Sequence, residues 1–265
     1  MEEYREVKCK SCSKVDPGRI DVQRFITKLD DFFSTNDLKG AGEYLKYWET
    51  EARAIGDTRG LLAVLNEEIG YYRRTNEAEP AIRAVFEAKE LLDTNKLSEN
   101  ASGAVIYINM ATTLSAFGRS EEGLPLYDSA EKIYTERGLE SAYEFAALLN
   151  NRATALSKLK RYDEAEDCIN RAVEILKAEG KHDGEIAVSL VNLAHVIFDR
   201  DGTAYEWVEE TLDLAWEYIN SPRQPHDANY AFILSKCAPS LRYFKREIEA
   251  QALEDVAAEI YGEKR

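Results

Sequence analysis

The chain has 265 residues and a formal net charge of −15, because 49 acidic side chains face 34 Lys and Arg. Such a chain repels a phosphate backbone on average, which argues against nucleic acid as its partner. No run reaches the roughly 18 apolar residues of a membrane span, so we expect no membrane partner. The charged first ten residues lack the apolar stretch of a secretory signal, and we therefore expect a cytoplasmic protein.

The first 18 residues are polar and are predicted to form a flexible N-terminal arm, 1–18. This arm contains Cys9 and Cys12 as a C-x-x-C motif. Half of a zinc site has this spacing, but a second C-x-x-C or a suitably spaced His would have to complete it. Three interpretations stay open, namely an incidental motif, a redox-active or intermolecular cysteine pair, and a metal site. We predict no metal and no cofactor.

From residue 19 to residue 262 apolar side chains recur at helical spacing, whereas strand-like alternation is nearly absent. Glycines mark the expected helix ends, among them Gly56, Gly118, Gly138 and Gly180. The pattern predicts one all-α repeat domain, 19–262, made of six helix pairs. The predicted pairs are 19–55, 58–95, 99–137, 140–179, 183–221 and 226–262.

Helix starts are predicted from polar side chains that could cap the first turn. Ser141, Asp163 and Thr203 are each followed three residues later by Glu, which is the spacing of a capping box. Asn76 precedes Glu79 at the same spacing. We expect these four residues to accept hydrogen bonds from the free backbone N–H groups of the helices that follow.

Two small residues seven positions apart recur in the second helix of the predicted pairs, at spacings of 40 to 43 residues, except that the bulky Trp48 replaces one of them in the first pair. A small side chain at such a position lets two helix backbones approach closely. A single pair cannot bury its own apolar face, so stability is expected from stacking successive pairs. The recurring positions are Ala41 and Trp48, Ala81 and Ala88, Gly123 and Ala130, Ala165 and Ala172, Val208 and Ala215, and Ala250 and Ala257.

These pairs resemble tetratricopeptide (TPR) repeats of the 42-residue kinesin-light-chain-like type. The fourth pair carries the resemblance most clearly, with Leu149-Asn150-Asn151-Arg152-Ala153 in its first helix and Tyr162-Asp163-Glu164-Ala165-Glu166 in its second. Ala111 and Ala194 hold the place of Ala153 in the neighbouring pairs. The resemblance implies a right-handed α-solenoid of about six stacked helix-turn-helix pairs, whose first helices line a concave groove.

One first-helix position carries Asn repeatedly, at Asn66, Asn109, Asn151 and Asn192. A carboxamide both donates and accepts, so it can hold the backbone of an extended peptide without reading its sequence. In TPR proteins of the resembled type, asparagines at this place contact a bound peptide. The alternative is that these side chains bond neighbouring helices and serve only the fold.

Other candidate contacts share this first-helix face, and several of them are cations. A groove with positive character would favour an acidic segment or a C-terminal carboxylate. The alternative is that long cationic side chains simply solvate a helix face. The candidates are Arg73, Thr112, Thr154, Lys158, His195 and Lys236.

Catalysis finds little support in the sequence. His195 lies on the first-helix face, but no pattern of a Cys, Ser or Asp nucleophile accompanies it. No glycine cluster follows a strand, so a phosphate-binding loop is not predicted. We therefore predict a protein that is not an enzyme and has no catalytic residue.

The favoured function is a non-catalytic module that holds a protein or peptide segment in the groove of a TPR solenoid. A first alternative is a self-associating scaffold, because aromatic residues concentrate in the last helix pair and could form a homodimer surface there. A second is a cytoplasmic peptide-signal sensor without its own output domain. The aromatic residues concerned are Tyr230, Phe232, Tyr243, Phe244 and Tyr261.

Overall fold

A computed structural model of the chain describes residues 18–95, 97 and 101–262, and these residues contain twelve α-helices and no strand. The helices follow one another as six pairs, which confirms the predicted all-α architecture. No helix of the described ranges is long and apolar enough to cross a bilayer. The helices are α1 (Val22–Ser34), α2 (Leu38–Ile55), α3 (Thr58–Arg74), α4 (Ala78–Asn95), α5 (Ala101–Ala116), α6 (Ser120–Glu136), α7 (Tyr143–Lys158), α8 (Tyr162–Glu179), α9 (Asp183–Arg200), α10 (Tyr205–Ile219), α11 (Ala228–Tyr243) and α12 (Glu247–Tyr261).

The chain divides into two compact units, Met1–Ile133 (unit 1) and Tyr134–Arg265 (unit 2). In unit 1, α3 packs against its partner α4 and also against α5, the first helix of the next pair. In unit 2, α9 contacts α10 within its own pair and both α7 and α11 in the adjacent pairs. In each unit, therefore, first helices of successive pairs lie side by side and share one face.

The turn inside most pairs repeats one backbone geometry. In the α7–α8 turn, Lys160 adopts a left-handed conformation with φ of 60°. Its N–H donates to the Ser157 carbonyl at 2.8 Å, and the Arg161 N–H donates to the Leu156 carbonyl at 3.0 Å. This pair of bonds is a Schellman motif, which satisfies carbonyls that the helix end leaves free. The same left-handed conformation recurs at Asn36, Asn76, Gly118 and Lys245.

Glycine ends helices as the sequence predicts. Gly56 and Gly180 are left-handed caps at the ends of α2 and α8, with φ of 70° and 71°. Gly138, which follows α6, also has a positive φ of 66°. A residue without Cβ takes this conformation at little steric cost, so the chain can turn sharply between one pair and the next.

The predicted N-terminal caps are wrong. α7, α8 and α10 begin after Ala142, Arg161 and Ala204, none of which makes a side-chain capping bond. Asp163 already lies within the first turn of α8, where its charge still interacts favourably with the helix dipole. Asn76 has φ of 60° and belongs to the turn that ends α3. Asp21, Asp37, Asp57 and Asp227 are side chains that do cap helices.

The recurring small residues lie where helices approach most closely. Ala165 and Ala172 of α8 are fully buried, as are Ala81 and Ala88 of α4. At Gly123 of α6, a Cβ would come within 2.9 Å of the Ala111 carbonyl oxygen on α5. The neighbouring backbone therefore fills the space that a side chain would need, which is the reason for a small residue at this place in the repeat.

Candidate functional site

In unit 1, two of the predicted asparagines bond each other across the contact between α3 and α5. The Asn109 Nδ2 donates to the Asn66 Oδ1 at 2.8 Å. The Asn66 Nδ2 in turn donates to the Glu67 Oε1 at 2.9 Å. Burial raises the pKa of Glu67. The bond between Asn109 and Asn66 uses part of both carboxamides to connect neighbouring helices, as the alternative of a purely structural role expects.

Arg73 lies about two turns further along α3, half-buried beside the same contact. Its Nη1 donates to the Thr113 Oγ1 at 3.0 Å and to the Asn109 carbonyl at 3.5 Å. Within the described ranges it forms no ion pair, and burial lowers its pKa. Thr112, predicted to face a ligand, shares a hydrogen bond of 2.9 Å with the Tyr127 hydroxyl on α6. This small region of unit 1 therefore combines a cation lacking a carboxylate with polar groups that are already bonded.

In unit 2, a residue that was not predicted makes the corresponding connection. The Asn150 Nδ2 on α7 donates to the Ser189 Oγ on α9 at 2.8 Å. Asn151 follows Asn150 directly and Asn192 lies one turn after Ser189, so both carboxamides lie near the α7–α9 contact. Both are half-buried, and neither has a hydrogen-bond partner in the described part of the chain. Their donors and acceptors are available to another molecule.

The next contact on this face joins α9 to α11 through His195. The His195 Nε2 and the Ser240 Oγ share a hydrogen bond of 3.0 Å. The imidazole ring also packs against Tyr243 and Phe244, with ring centroids 5.1 Å and 4.8 Å apart. Burial lowers the pKa of His195, although Asp199 opposes this effect. The His195 imidazole, bonded to a hydroxyl, is thus part of the contact between α9 and α11.

Four aromatic rings beside the same helix contact form what we call the aromatic cluster. They are Phe198, Tyr205, Tyr243 and Phe244. Phe198 is central, with ring centroids 6.0 Å from Tyr205, 6.0 Å from Tyr243 and 5.7 Å from Phe244. Tyr205 is 62% exposed and Tyr243 is 52% exposed. The cluster therefore offers an apolar surface to solvent. Phe198 could have been found from the sequence, because it follows His195 by three residues on the same helix face.

The remaining predicted contacts lie on the surface of unit 2. The Thr154 hydroxyl is exposed and donates to the Asn150 carbonyl of its own helix at 3.2 Å. Lys158 lies one turn further on, with its pKa lowered by burial. Lys236 of α11 is exposed, and its Nζ lies 5.1 Å from the centroid of the Phe232 ring. Two cations thus accompany the asparagines of unit 2.

Metal-binding and thiol chemistry find no built site in the described residues. No group of three or more His, Cys, Asp or Glu suited to a metal ion occurs among them. Cys168 and Cys237 are buried and form no disulfide within the described residues, and burial raises the pKa of the Cys237 thiol to about 12. Cys9 and Cys12, the predicted C-x-x-C pair, lie outside the described residues.

Comparison with known proteins identifies the repeat. The tetratricopeptide repeat family model matches residues 144–215, which correspond to α7 to α10. No curated protein matches the chain in sequence.

Solved structures of the same fold cover most of the chain at low sequence identity. BtubC (BKLC) from P. vanneervenii is 16% identical, covers 92% of both chains and superposes with a TM-score of 0.53. A putative kinesin light chain with nearly identical TPR-like repeats from Podosopora anserina is 17% identical, covers 77% of this chain and 95% of its own, and has a TM-score of 0.53. A Rap protein complexed with Competence and Sporulation Factor is 16% identical, covers 96% of this chain and 80% of its own, and has a TM-score of 0.55.

The helix pairs, the small residues at their crossings and these matches agree with one another. Residues 144–215 match the tetratricopeptide repeat family, and the described residues fold as an all-α solenoid similar to the solved kinesin-light-chain-like repeat structures.

Proposed function

We propose that the chain is a non-catalytic cytoplasmic module that binds a peptide segment of a partner protein on the first-helix face of unit 2. The observation that carries this proposal is the pair of carboxamides at Asn151 and Asn192, which lie on adjacent helices without partners in the described residues. A half-buried amide whose hydrogen-bonding groups are unused can exchange water for a peptide backbone at little cost.

The aromatic cluster supplies the apolar part of the same face. His195 follows Asn192 by three residues on α9 and contacts Tyr243 and Phe244 of this cluster. A peptide held at Asn192 would therefore reach an exposed aromatic surface within one to two turns of α9. Aromatic side chains bury a large area on binding, so an apolar peptide side chain at this place would contribute most of the affinity.

Charge favours an acidic segment or a C-terminal carboxylate. Lys158 and Lys236 lie on α7 and α11, the helices on either side of α9. In a chain with a net charge of −15, two cations on the binding face would also direct an acidic peptide to it. A Rap protein of the same fold has been crystallised with Competence and Sporulation Factor, which supports a ligand-binding use of this architecture.

Selection from a random 12-residue peptide display library tests the proposal. We expect enriched peptides to bind with a Kd of about 1 μM, corresponding to about −8 kcal/mol. Asn151→Ala combined with Asn192→Ala should weaken the best peptide at least tenfold with little change in Tm. The matched control combines Asn66→Ala with Asn109→Ala, which removes a bonded pair in unit 1 and should preserve peptide affinity. Failure to enrich any peptide, or full affinity in the Asn151 and Asn192 variant, would refute the proposal.

Self-association is a second candidate, favoured by exposed aromatic side chains in the last helix pair. Phe232, Tyr243 and Tyr261 are all exposed, whereas Tyr230 is buried and its hydroxyl donates to the Ile219 carbonyl. Sedimentation over a concentration series distinguishes the two candidates. A dimer that dissociates when Phe232 and Tyr261 are replaced by Ser would support the scaffold.

A further inference from the structure

Two second helices of unit 2 have an unusual charge distribution. α10 and α12 contain ten carboxylates and no Lys or Arg. Arg246, the residue before α12, bridges the two helices by donating to the Glu209 Oε2 at 3.1 Å and to the Asp213 Oδ1 at 2.6 Å. Arg246 therefore holds the first turn of α12 near the side of α10 that carries Glu209 and Asp213, and α10 itself presents an acidic surface.

Apolar side chains protrude from this acidic surface. Trp207 is 60% exposed and Leu214 is 37% exposed, and both lie on one side of α10, away from its buried residues and from Glu209 and Asp213. We call these two side chains the outer patch. Exposed Trp is the residue type most often found at the energetic centre of protein interfaces, so this patch requires an explanation beyond folding.

The carboxylates around the outer patch are only partly neutralised. Glu209 and Asp213 are paired with Arg246. Glu206, Glu210 and Glu217 form no ion pair in the described part of the chain, although Glu206 and Glu210 lie within three residues of Trp207. A second copy of the same surface would bring like charges together, so this charge distribution disfavours self-association and favours a cationic partner.

We propose that the outer patch is a second docking surface, which binds a basic amphipathic helix of a partner protein. Trp207 and Leu214 are seven residues apart and therefore about 10 Å apart along α10. Apolar side chains at positions i and i+7 of a docking helix have the same spacing. Its Lys and Arg would pair with Glu206, Glu210 and Glu217. This surface belongs to second helices and is separate from the first-helix face proposed for peptide binding.

The test uses two fluorescein-labelled synthetic peptides of 18 residues and identical Leu and Lys content. In the first, Leu follows helical spacing, and in the second, Leu is scattered. We expect the patterned peptide to bind the chain, to bind at least tenfold more weakly to the variant Trp207→Ser with Leu214→Ser, and to lose affinity as NaCl rises from 50 to 300 mM. Phe86→Ser, which removes an exposed apolar side chain of α4 in unit 1, is the matched control and should bind normally.

A second variant keeps the apolar side chains and reverses charge, by Glu206→Lys with Glu210→Lys. It should weaken the patterned peptide at least tenfold while leaving Tm unchanged, because both residues are exposed. Equal binding of the two peptides would show adsorption by charge alone and would overturn the proposal. So would unchanged binding in both variants, or a dimer in sedimentation that only Trp207→Ser with Leu214→Ser dissociates, since a second copy would then cover the patch.

Discussion

Units 1 and 2 use the same repeat position in different ways. In unit 1, Asn66 and Asn109 bond each other across two first helices. In unit 2, Asn150 and Ser189 make the cross-helix bond one position away, and Asn151 and Asn192 are left without a partner in the described residues. A recurring residue type therefore does not fix a recurring role. The role depends on which side chain of the next helix comes within hydrogen-bond distance.

A second difference concerns the small residue of the first helix. In α5, α7 and α9 this position is held by Ala111, Ala153 and Ala194, all fully buried. In α3 of unit 1 the same register places Glu68, which is only 4% exposed. Burial, together with the nearby charge of Glu49, raises the pKa of Glu68 to about 8. Unit 1 thus carries a buried carboxyl where unit 2 has only methyl groups.

The largest expected effect comes from replacing this carboxyl. Below the unfolded pKa of about 4.5, Glu68 is protonated in both the folded and the unfolded chain, so its ionisation does not lower the free energy of unfolding. As pH rises from there to about 8, the unfolded chain loses its proton first, so folding becomes less favourable. Glu68→Gln should remove this pH dependence, with a gain over wild type that approaches about 4 kcal/mol at pH 9. Urea unfolding of both chains at pH 5, 7 and 9 measures this gain in the free energy of unfolding.

The surroundings of Glu68 define the control for that experiment. Arg53 donates to Glu49 and Glu87, and these three side chains together with Arg83 determine the field at Glu68. Glu87→Gln leaves Glu68 in place and should preserve most of the pH dependence. If the free energy of unfolding changed with pH in the same way for wild type and Glu68→Gln, Glu68 would have no raised pKa. The difference proposed here between unit 1 and unit 2 would then be wrong.

A smaller effect is expected at the second-helix small position, where unit 1 has Gly123 and unit 2 has Ala165. A Cβ at Gly123 would meet the Ala111 carbonyl oxygen at 2.9 Å. Gly123→Val should therefore lower the free energy of unfolding by about 1–3 kcal/mol through overpacking. Ala165→Gly should cost only about 1 kcal/mol, because it lowers helix propensity without a clash. Thermal or urea unfolding compares the two variants. A Gly123→Val chain as stable as wild type would contradict the close approach of position 123 to the Ala111 carbonyl oxygen.

The smallest effect separates the two kinds of asparagine. Asn109→Ala removes the bond to Asn66 and should destabilise the chain by about 1 kcal/mol. Asn192→Ala removes no protein bond and should change stability by less than about 0.5 kcal/mol. Urea unfolding of the two single variants measures the difference. Equal losses would mean that both units use this position for the fold.

The candidate site was only partly predictable. Helical periodicity placed Asn151, Asn192 and His195 on first helices, since a face repeats every 3.6 residues whatever packs on it. It gave no information on Asn150, because a residue one position away points toward a different neighbour. Tyr205 and Phe198 lie on different helices, and their contact depends on how α9 and α10 pack. The predicted capping boxes were wrong for a related reason. The second helix of a pair begins where the preceding backbone turn, such as the one at Lys160, allows it to begin.

Residue order alone established the helix pairs, their boundaries to within a few residues, the repeat of about 42 residues and the acidic charge. These properties are local or periodic, and each is encoded by residues close together in the chain. Packing across helices determined the rest: which asparagines are bonded, how the aromatic cluster forms, and why Gly123 has no side chain. Such features depend on residues of different helices, whose distance is set only when those helices pack against each other.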